Sequence, residues 1–357
     1  MALTINTNIS SLIAQRSLTA ATDGMNLSLE RMSTGYKINH AKDNAAGYSI
    51  ANNWETKLGS LDVAADNAAT GLDLLTTAEE TYGLLTSHLQ RVRDLTEQAA
   101  NGTYGSQSLK AIQAEVAARL QEINRLAANS EFNGIKLMAY DMEDETKNSE
   151  VGITSAGVNL QVGLYADKDS TINLKVDLFA KANLSGLFGG MTATYKVPDK
   201  TNPTTMVEKS LEDLLTAANN GTKITDYESE DGVNAFAAAC CGLKYVAADT
   251  ANDEPAQLYL QEDGGFGAKE MLMFLDSAID EISSRVTKIG AAQNRVQSAV
   301  EALDVQSQNL TSSLSTLRDT DVAEESSTYI QQQILQQASA TLLSTANQLP
   351  SIALNLI

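Results

Sequence analysis

Few residues in this 357-residue chain have the type and spacing that chemistry requires. The two histidines, His40 and His88, are far apart in sequence, and neither stands beside a set of metal ligands. The sequence has no HExxH, CxxC or GxSxG pattern and no phosphate-binding glycine loop. The only cysteines, Cys240 and Cys241, are adjacent. Because neighbouring cysteines rarely form an unstrained disulfide, we interpret them as partly buried thiols.

Two other segments deserve a test as ion or phosphate sites. Residues 141–150, DMEDETKNSE, hold five carboxylates but lack the spacing of a calcium-binding loop, which favours a solvated acidic loop. Residues 263–267, DGGFG, are more typical of a turn than of a nucleotide loop. The sequence therefore predicts no metal site, no cofactor and no enzyme.

The charge balance excludes further classes of partner. The formal net charge is -20, which argues against nucleic acid because phosphate binding needs a basic face. Residues 141–270 hold 22 acids, 10 bases and no arginine. No run of about 18 apolar residues is present, so no membrane span is expected. The first fifteen residues are uncharged, without the basic start and apolar run of a secretory signal.

The remaining candidate is a charged helical segment, HLQRVRDLTEQAANGTYG, at residues 88–105. It sets two arginines among acidic, polar and leucine positions in an otherwise acidic chain. Such a segment is either a solvated helical face or a contact surface, and its meaning depends on the elements that carry it.

The C-terminal flank shows the clearest helical pattern. Apolar residues step alternately by four and three over about six heptads, which predicts one long helix whose narrow stripe needs a partner. Gln293 and Ser307 interrupt this stripe. A polar residue there either fixes the register or marks a drift of the stripe toward solvent. The positions of the stripe are Leu275, Ile279, Ile282, Val286, Ile289, Gln293, Val296, Val300, Leu303, Ser307, Leu310, Leu314 and Leu317.

The N-terminal flank supplies partner helices. An apolar stripe of the same spacing runs from Trp54 to Leu75 and continues with a shifted register to Val92. The segment NGTYGS, residues 101–106, ends this helix, and a second one follows from Leu109 to Ile123. We expect two antiparallel helices of similar length that form a bundle with the C-terminal helix.

Both ends of the chain predict weak amphipathic helices that are poor in charge and rich in Ser, Thr, Asn and Gln. Isolated helices of this composition are marginal in water, so we expect both to be mobile in the free monomer and ordered when packed. The N-terminal stripe consists of Ile5, Ile9, Leu12, Ile13 and Leu18. The C-terminal stripe consists of Leu335, Ala338, Leu342, Thr345, Leu349 and Ile352.

The middle of the chain changes to a period of two. VNLQVG and TINLKVDLF, separated by LYADKDS, predict a β-hairpin. Residues beyond it predict a separate small α+β insertion. The expected fold is therefore mainly α: a long antiparallel coiled coil or helical bundle formed by both chain ends plus a β-hairpin, with an inserted small α+β domain.

Five stretches together resemble bacterial flagellin, the repeating subunit of the flagellar filament. They are INTNISSLIAQRSL, LERMSTGYKINHAKDNAAGYSIA, LQRVRDLTEQAANGT, IQAEVAARLQEINRLAANSEFNGIKLM and LRDTDVAEESSTYIQQQILQQASATLLSTANQLPSIALNLI. The resemblance covers about residues 1–180 and 268–357. It implies a terminal coiled-coil core of residues 1–44 and 319–357, a helical bundle with a β-hairpin of residues 45–180 and 268–318, and a variable outer insertion of residues 181–267.

The resemblance also implies a function in motility and a set of partners. The chain would polymerise with copies of itself into an extracellular filament, after secretion in an unfolded state by the flagellar type III export system. Filament cap and hook-junction proteins would contact the polymer, and an export chaperone would hold the C-terminal helix beforehand. The candidate chaperone contacts are Ile334, Leu335, Leu342 and Leu349.

The charged segment acquires a role through the same resemblance. In flagellins it is the principal site bound by Toll-like receptor 5, an innate immune receptor, and it packs against the next subunit of a protofilament. Asp94 stands where glutamate is common. The receptor would thus bind a surface that assembly buries. The candidate positions are Leu89, Gln90, Arg91, Arg93, Asp94, Leu95 and Glu115.

Two alternatives share parts of this pattern. The hook–filament junction protein has the same terminal helices, but QRVRDLTEQAANGT and EFNGIKL favour the filament subunit. Some flagellins carry a metalloprotease in the central insertion. Residues 181–267 contain no histidine, which excludes zinc ligation of that type.

Overall fold

The fold comes from a computed structural model that describes residues 8–141, 153, 155, 157–165, 167–188, 194–198, 206–219, 227–247, 257–260 and 266–354. The helices are α1 (Ile9–Thr34), α2 (Ala45–Ala99), α3 (Ser106–Asn129), α4 (Leu184–Phe188), α5 (Leu211–Ala218), α6 (Glu230–Cys240), α7 (Phe266–Arg318) and α8 (Val322–Leu354). The strands are β1 (Glu131–Phe132), β2 (Ile135–Lys136), β3 (Val158–Gln161), β4 (Thr171–Leu174), β5 (Thr194–Pro198), β6 (Met206–Ser210), β7 (Leu243–Val246) and β8 (Gln257–Leu260). Among the described residues the strands form antiparallel pairs, β1 with β2, β3 with β4, β5 with β6 and β7 with β8.

The chain divides into two compact units. One contains residues 1–63 and 303–357, and the other contains residues 64–302. The predicted boundaries at residues 44 and 319 therefore fall inside the first unit, because the start of α2 and the end of α7 contribute to it. The described residues between 181 and 267 belong to the second unit, and several of them, such as Phe188 and Phe236, lie in its hydrophobic core.

The first unit is dominated by α1 and α8, which pack against each other along their length with Cα atoms within 8 Å. Small residues allow this approach: Ala14, Ala21 and Ser28 are buried at seven-residue intervals on α1. On α8 the buried positions are Glu325, Ser339 and Ala346. The pairing of the chain ends confirms the predicted fold.

Polar contacts set the register of α1 against α8. The Asn8 amide donates to the carbonyl of Ala346 at 2.7 Å, and Arg31 lies 3.6 Å from the Glu325 carboxylate. Between them, Gln336 donates to Thr22 at 3.2 Å. The interface between the two helices is thus made of small and polar side chains.

The predicted C-terminal stripe does not face α1. Leu335, Ala338, Leu342 and Thr345 are exposed, and the residue that follows each of them is half-buried or buried. Periodicity placed the largest apolar side chains in the interface, whereas close helix packing favours small residues there. The described N-terminal stripe behaves in the same way, since Ile9, Leu12 and Ile13 are exposed. Ile5 lies outside the described residues.

The two linkers that join the terminal helices to α2 and α7 are bonded to each other. The Lys37 amide donates to the Arg318 carbonyl at 2.6 Å, and the Thr320 amide donates to the Gly35 carbonyl at 2.9 Å. Gly35 ends α1 with φ +77°, a left-handed conformation that glycine adopts without strain. The linkers thereby form a short antiparallel bridge around Tyr36 and Asp319.

One side chain fastens this bridge to α2. The Arg318 guanidinium lies 4.1 Å from the centre of the Tyr36 ring, a cation–π contact. Its Nη1 atom is 3.0 Å from a carboxylate oxygen of Glu55 on α2. The Arg318 side chain therefore contacts both the first linker and the neighbouring long helix.

The second unit is a bundle of α2, α3 and α7 around a large apolar core. The predicted α7 stripe is buried in its first half, where Leu275, Ile282, Ile289 and Val296 are 0% exposed. The expectation that the two N-terminal helices have similar lengths is wrong, because α2 has 55 residues and α3 has 24. The part of α2 beyond the reach of α3 is covered by the predicted hairpin β3–β4.

This hairpin rests on α2 at a glycine. A Cβ atom on the buried Gly71 would lie 2.3 Å from a methyl carbon of Leu160 on β3. Asn67 donates from α2 to the carbonyl of Gln161 at 3.3 Å. Glycine at residue 71 therefore permits the strand to approach the helix closely.

Another hairpin, β1–β2, follows α3 directly. Asn133 and Gly134 occupy its turn with φ +49° and +79°, as a two-residue type I′ turn requires. Asn-Gly is a strong hairpin signal in a sequence, and here it joins two short strands.

The described part of the insertion packs on the bundle through α6, which contacts α3. Ser229 caps this helix by accepting from Gly232 at 3.1 Å. Val233, Phe236 and Cys240 are buried, and the Phe236 ring lies 4.7 Å from that of Phe188 on α4. Burial on all sides explains the run of small residues in AFAAACC.

Candidate functional site

The first candidate surface consists of large apolar side chains that α1 and α8 leave outside their own interface. We call it the terminal apolar surface. Each of its members has between 45% and 65% of its surface exposed. On α1 they are Ile9, Leu12, Ile13 and Leu29, and on α8 they are Ile330, Ile334, Leu335 and Leu342.

Association with a partner that covers these side chains is favourable, because it removes apolar surface from water. Burial of one exposed Leu or Ile side chain contributes about 1.5–3 kcal/mol. Contiguous apolar surface on a protein exterior marks an interaction site, whereas isolated exposed apolar residues are ordinary. Of the predicted chaperone contacts, Ile334, Leu335 and Leu342 belong to this surface. Leu349 lies in α8, and its side chain is outside the described residues.

The second candidate surface is the outer face of α2 near α3. Gln90, Arg91 and Asp94 are exposed. The Arg91 guanidinium donates from Nε and Nη2 to one carboxylate oxygen of Glu115 on α3, at 3.0 and 2.9 Å. Arg119 lies 3.9 Å from the same oxygen. These residues form a charged patch along the α2–α3 edge.

Arg93 lies on the opposite margin of this face. Its guanidinium pairs with Asp276 on α7 and lies 3.4 Å from Glu97. The hydrogen bond that Arg93 donates to the Asp276 carboxylate raises the pKa of Arg93 above its ordinary value. Arg91 and Arg93 therefore point to different neighbouring helices, with Gln90 and Asp94 between them.

Two of the predicted contact residues lie beneath the surface. Leu89 is 0% exposed and Leu95 is 2% exposed, and both belong to the bundle core. They support the charged face from below and are not available for direct contact with a partner in the folded chain. Of the predicted set, Gln90, Arg91 and Asp94 are exposed, and Arg93 and Glu115 are half-buried.

The two histidines, His40 and His88, contact different residues in different units. The His40 ring is 2.9 Å from Glu30, whereas His88 lies 3.5 Å from Arg119 in the other unit. In the described part of the chain no group of three His, Cys, Asp or Glu residues could hold a metal ion. Likewise, no helix within those residues is long and apolar enough to cross a membrane.

The two cysteines lie in the interior, away from solvent. Both thiols are free and buried, and burial raises the pKa of Cys240 to about 12. Most of the acidic segment 141–150 lies outside the described residues. Its first residue, Asp141, is 3.0 Å from the Lys181 ammonium group.

Both helical flanks match known family models. Residues 5–141 match the bacterial flagellin N-terminal helical region, and residues 272–357 match the bacterial flagellin C-terminal helical region. The chain belongs to the bacterial flagellin family. As a member, it is a structural subunit of a bacterial flagellar filament that assembles by self-polymerisation.

Individual proteins that resemble this chain over its full length are also flagellins. Polar flagellin F of Vibrio parahaemolyticus is 34% identical over 391 aligned positions, with 100% of both chains covered. Flagellin B of Vibrio cholerae is 34% identical over 377 positions, again with 100% of both chains covered. A solved structure of FliC from Burkholderia pseudomallei is 21% identical and covers 63% of this chain and 99% of its own, with a TM-score of 0.36.

Sequence reasoning about this flagellin missed the partners of its seam residues. Gln293, on the α7 stripe, donates to the Glu79 carboxylate at 2.7 Å, so the polar residue is paired with α2. The sequence contains a polar residue on each helix, Gln293 and Glu79. Inspection of one apolar stripe at a time does not show that these two residues face each other. Asp276 as the partner of Arg93 was missed for the same reason.

Proposed function

We propose that an export chaperone binds the α8 part of the terminal apolar surface, and that the chain is then released and secreted unfolded by the flagellar type III system. After secretion, copies of the chain cover the whole surface in the filament. One observation carries this proposal: α1 and α8 pair through small and polar residues, and their large apolar side chains remain outside.

An export chaperone and a neighbouring copy of the chain cannot bind the exposed side chains of α8 at the same time. Ile334, Leu335 and Leu342 are exposed in the single chain and would be needed by either partner. A bound chaperone would therefore hold the chain in a state that cannot polymerise, and its release would free the surface for assembly. Competition of this kind needs no conformational switch in the bundle.

A chaperone-binding experiment tests this part of the proposal. The variant with Ile334→Ser, Leu335→Ser and Leu342→Ser should bind the cognate export chaperone at least about 100-fold more weakly, because three apolar contacts are lost. The control carries Gln333→Ser, Gln337→Ser and Thr341→Ser, which are exposed polar positions on the same helix. Equal affinities of the two variants, measured by titration calorimetry, would contradict the proposal.

We also propose that the exposed charged face is a contact surface with two uses. Gln90, Arg91, Asp94 and Glu115 would contact the next subunit of a protofilament, and in the free monomer they would be bound by Toll-like receptor 5. The observation that supports this is the ordered Arg91–Glu115 pair on an exposed helix edge. Because assembly would bury the face, monomer should bind the receptor far better than filament.

Arg91→Ala tests both uses at once. It should weaken receptor signalling by the monomer and motility of cells that carry it, because Glu115 loses its hydrogen-bonded partner and the face loses a cation. Lys110→Ala is the control, since Lys110 is an exposed cation at the start of α3. Signalling and motility equal to those of the control would remove the proposal.

Seeded growth distinguishes a filament subunit from a hook–filament junction protein, the alternative that the terminal helices alone allow. A filament subunit should grow from seeds into long regular filaments after addition of salt, whereas a junction protein should add only at an end. Electron micrographs of seeded, purified protein separate the two. Short caps on every seed, without elongation, would favour the junction role.

A further inference from the structure

A line of acidic side chains runs along the outer side of α2. Asp66, Asp73 and Glu80 are seven residues apart, which places them on one line of a helix that follows a heptad pattern. All three are exposed, whereas Leu75 and Tyr82 on the opposite side of the helix are 0% exposed. We call these three residues the acidic line.

The acidic line has no counter-charge within the described part of its own chain. No Lys, Arg or His that the structure describes lies within 4.0 Å of its carboxylates. The acids further along the bundle differ, since Glu97 pairs with Arg93 and Glu115 pairs with Arg91. Three adjacent unpaired anions repel one another, so the line favours a cationic partner.

A basic pair lies on a different side of the same bundle. Lys288 and Arg295 on α7 are exposed, and the ion pairs among the described residues include neither of them. They are also seven residues apart. Gln293 faces α2 through Glu79, and the basic pair lies roughly 140–160° around α7 from it. The pair therefore points away from α2.

The two surfaces match in spacing and in level. Seven residues span about 10 Å of a helix, so Asp73 to Glu80 equals Lys288 to Arg295 in length. α2 and α7 are antiparallel, because Arg93 contacts Asp276 and Glu79 contacts Gln293. This register puts the basic pair at the level of Asp73 and Glu80 to within about one helical turn.

We infer that these surfaces meet between neighbouring copies, with Glu80 of one copy beside Lys288 of the next and Asp73 beside Arg295. Two different surfaces on one chain make a heterologous contact, which repeats without closing and so suits an open helical polymer. The inference rests on polymerisation and adds the charged contact that orients neighbouring copies side by side with the same polarity.

Charge reversal tests the inference with three variants. The acid-reversed variant carries Asp73→Lys and Glu80→Lys, the base-reversed variant carries Lys288→Glu and Arg295→Glu, and the fully reversed variant carries all four changes. Each single-surface variant alone should require at least about tenfold more protein to form filaments in low salt, because like charges meet. An equimolar mixture of the two, and the fully reversed variant, should regain wild-type growth.

Controls keep the outcomes distinct. Thermal unfolding should be unchanged in all three variants, since every altered side chain is exposed. Asp73→Asn with Glu80→Gln should give an intermediate defect that high salt does not worsen. Wild-type growth of either single-surface variant, or no recovery in the mixture, would overturn the inference. Failure of the wild-type chain to polymerise would instead overturn the filament function itself.

Discussion

The bundle and the terminal helix pair use their apolar residues in opposite ways. In the bundle Leu85, Leu89 and Leu120 are 0% exposed, and large side chains fill the space between helices. In the terminal pair Ala21 and Ser28 occupy the interface, and residues such as Leu342 lie outside. Both regions show heptad spacing, but only the bundle satisfies its large apolar residues within one chain.

This difference shows how one sequence can encode both a folded body and an assembly element. A core of buried leucines gives the bundle stability as a monomer. The close, polar interface of α1 and α8 holds two helices in register while their apolar side chains remain available. The following predictions test this contrast, beginning with the largest expected effect.

Ile334→Asp with Leu342→Asp should abolish polymerisation completely. A carboxylate buried against apolar neighbours in a polymer costs several kcal/mol. In the monomer both positions are exposed, so the denaturation midpoint of the bundle should not change. Sedimentation measures assembly, and urea unfolding measures stability. Filament growth at the wild-type rate would show that the terminal apolar surface is not used.

Leu120→Ala should produce the reverse pattern. Leu120 is 0% exposed in the bundle core, and its truncation should lower the free energy of unfolding by about 2–5 kcal/mol. Leu335→Ala, at an exposed position of α8, should change it by less than about 0.5 kcal/mol. Chemical denaturation followed by circular dichroism compares the two. Equal losses in the free energy of unfolding would contradict the claim that the bundle buries its large apolar residues and the terminal pair does not.

Two glycine-to-alanine substitutions compare the packing of the bundle with that of the terminal helix pair. A Cβ at Gly71 would lie 2.3 Å from Leu160, so Gly71→Ala should lower stability by about 1–3 kcal/mol. A Cβ at Gly24 in α1 would lie 2.9 Å from the end of the flexible Gln332 side chain, which can move aside. Gly24→Ala should therefore be tolerated within about 0.5 kcal/mol. A greater loss at Gly24 would reveal a rigid terminal interface.

The smallest effect concerns the buried thiols. Burial raises the pKa of Cys240 to about 12 and also raises the pKa of Cys241. At pH 8 the native thiols should not react with a thiol reagent, whereas they should react in urea, where their pKa returns toward about 8.5. Rapid native labelling would mean that α6 opens from the bundle.

The helical elements were predictable because their partners are in the same chain. The stripe from Leu275 to Val296 is buried against the bundle core as the heptad pattern predicts. The hairpin β3–β4 followed from its period of two. The α1–α8 interface was not predictable, since the pattern assigns Leu335 and Leu342 to it and the chain buries Ser339 and Ala346 instead.

The candidate sites followed the same rule. The charged segment was predictable from the sequence. The burial of Leu89 and Leu95 was not, because it depends on which side of α2 faces the bundle core. Partners such as Asp276 for Arg93 lie 183 residues away in the sequence, and no local pattern relates them. Single-sequence reasoning finds stripes, whereas pairing between distant helices requires coordinates.

The bridge between the two linkers has a mechanical consequence. The chain leaves α1 and enters α8 through segments that run antiparallel and share hydrogen bonds, with the Arg318 guanidinium stacked on Tyr36. Tension or torsion along either strand is therefore divided between both, and the bonds are loaded together in shear. In a filament, two connections that are bonded to each other resist such loads better than two independent tethers would.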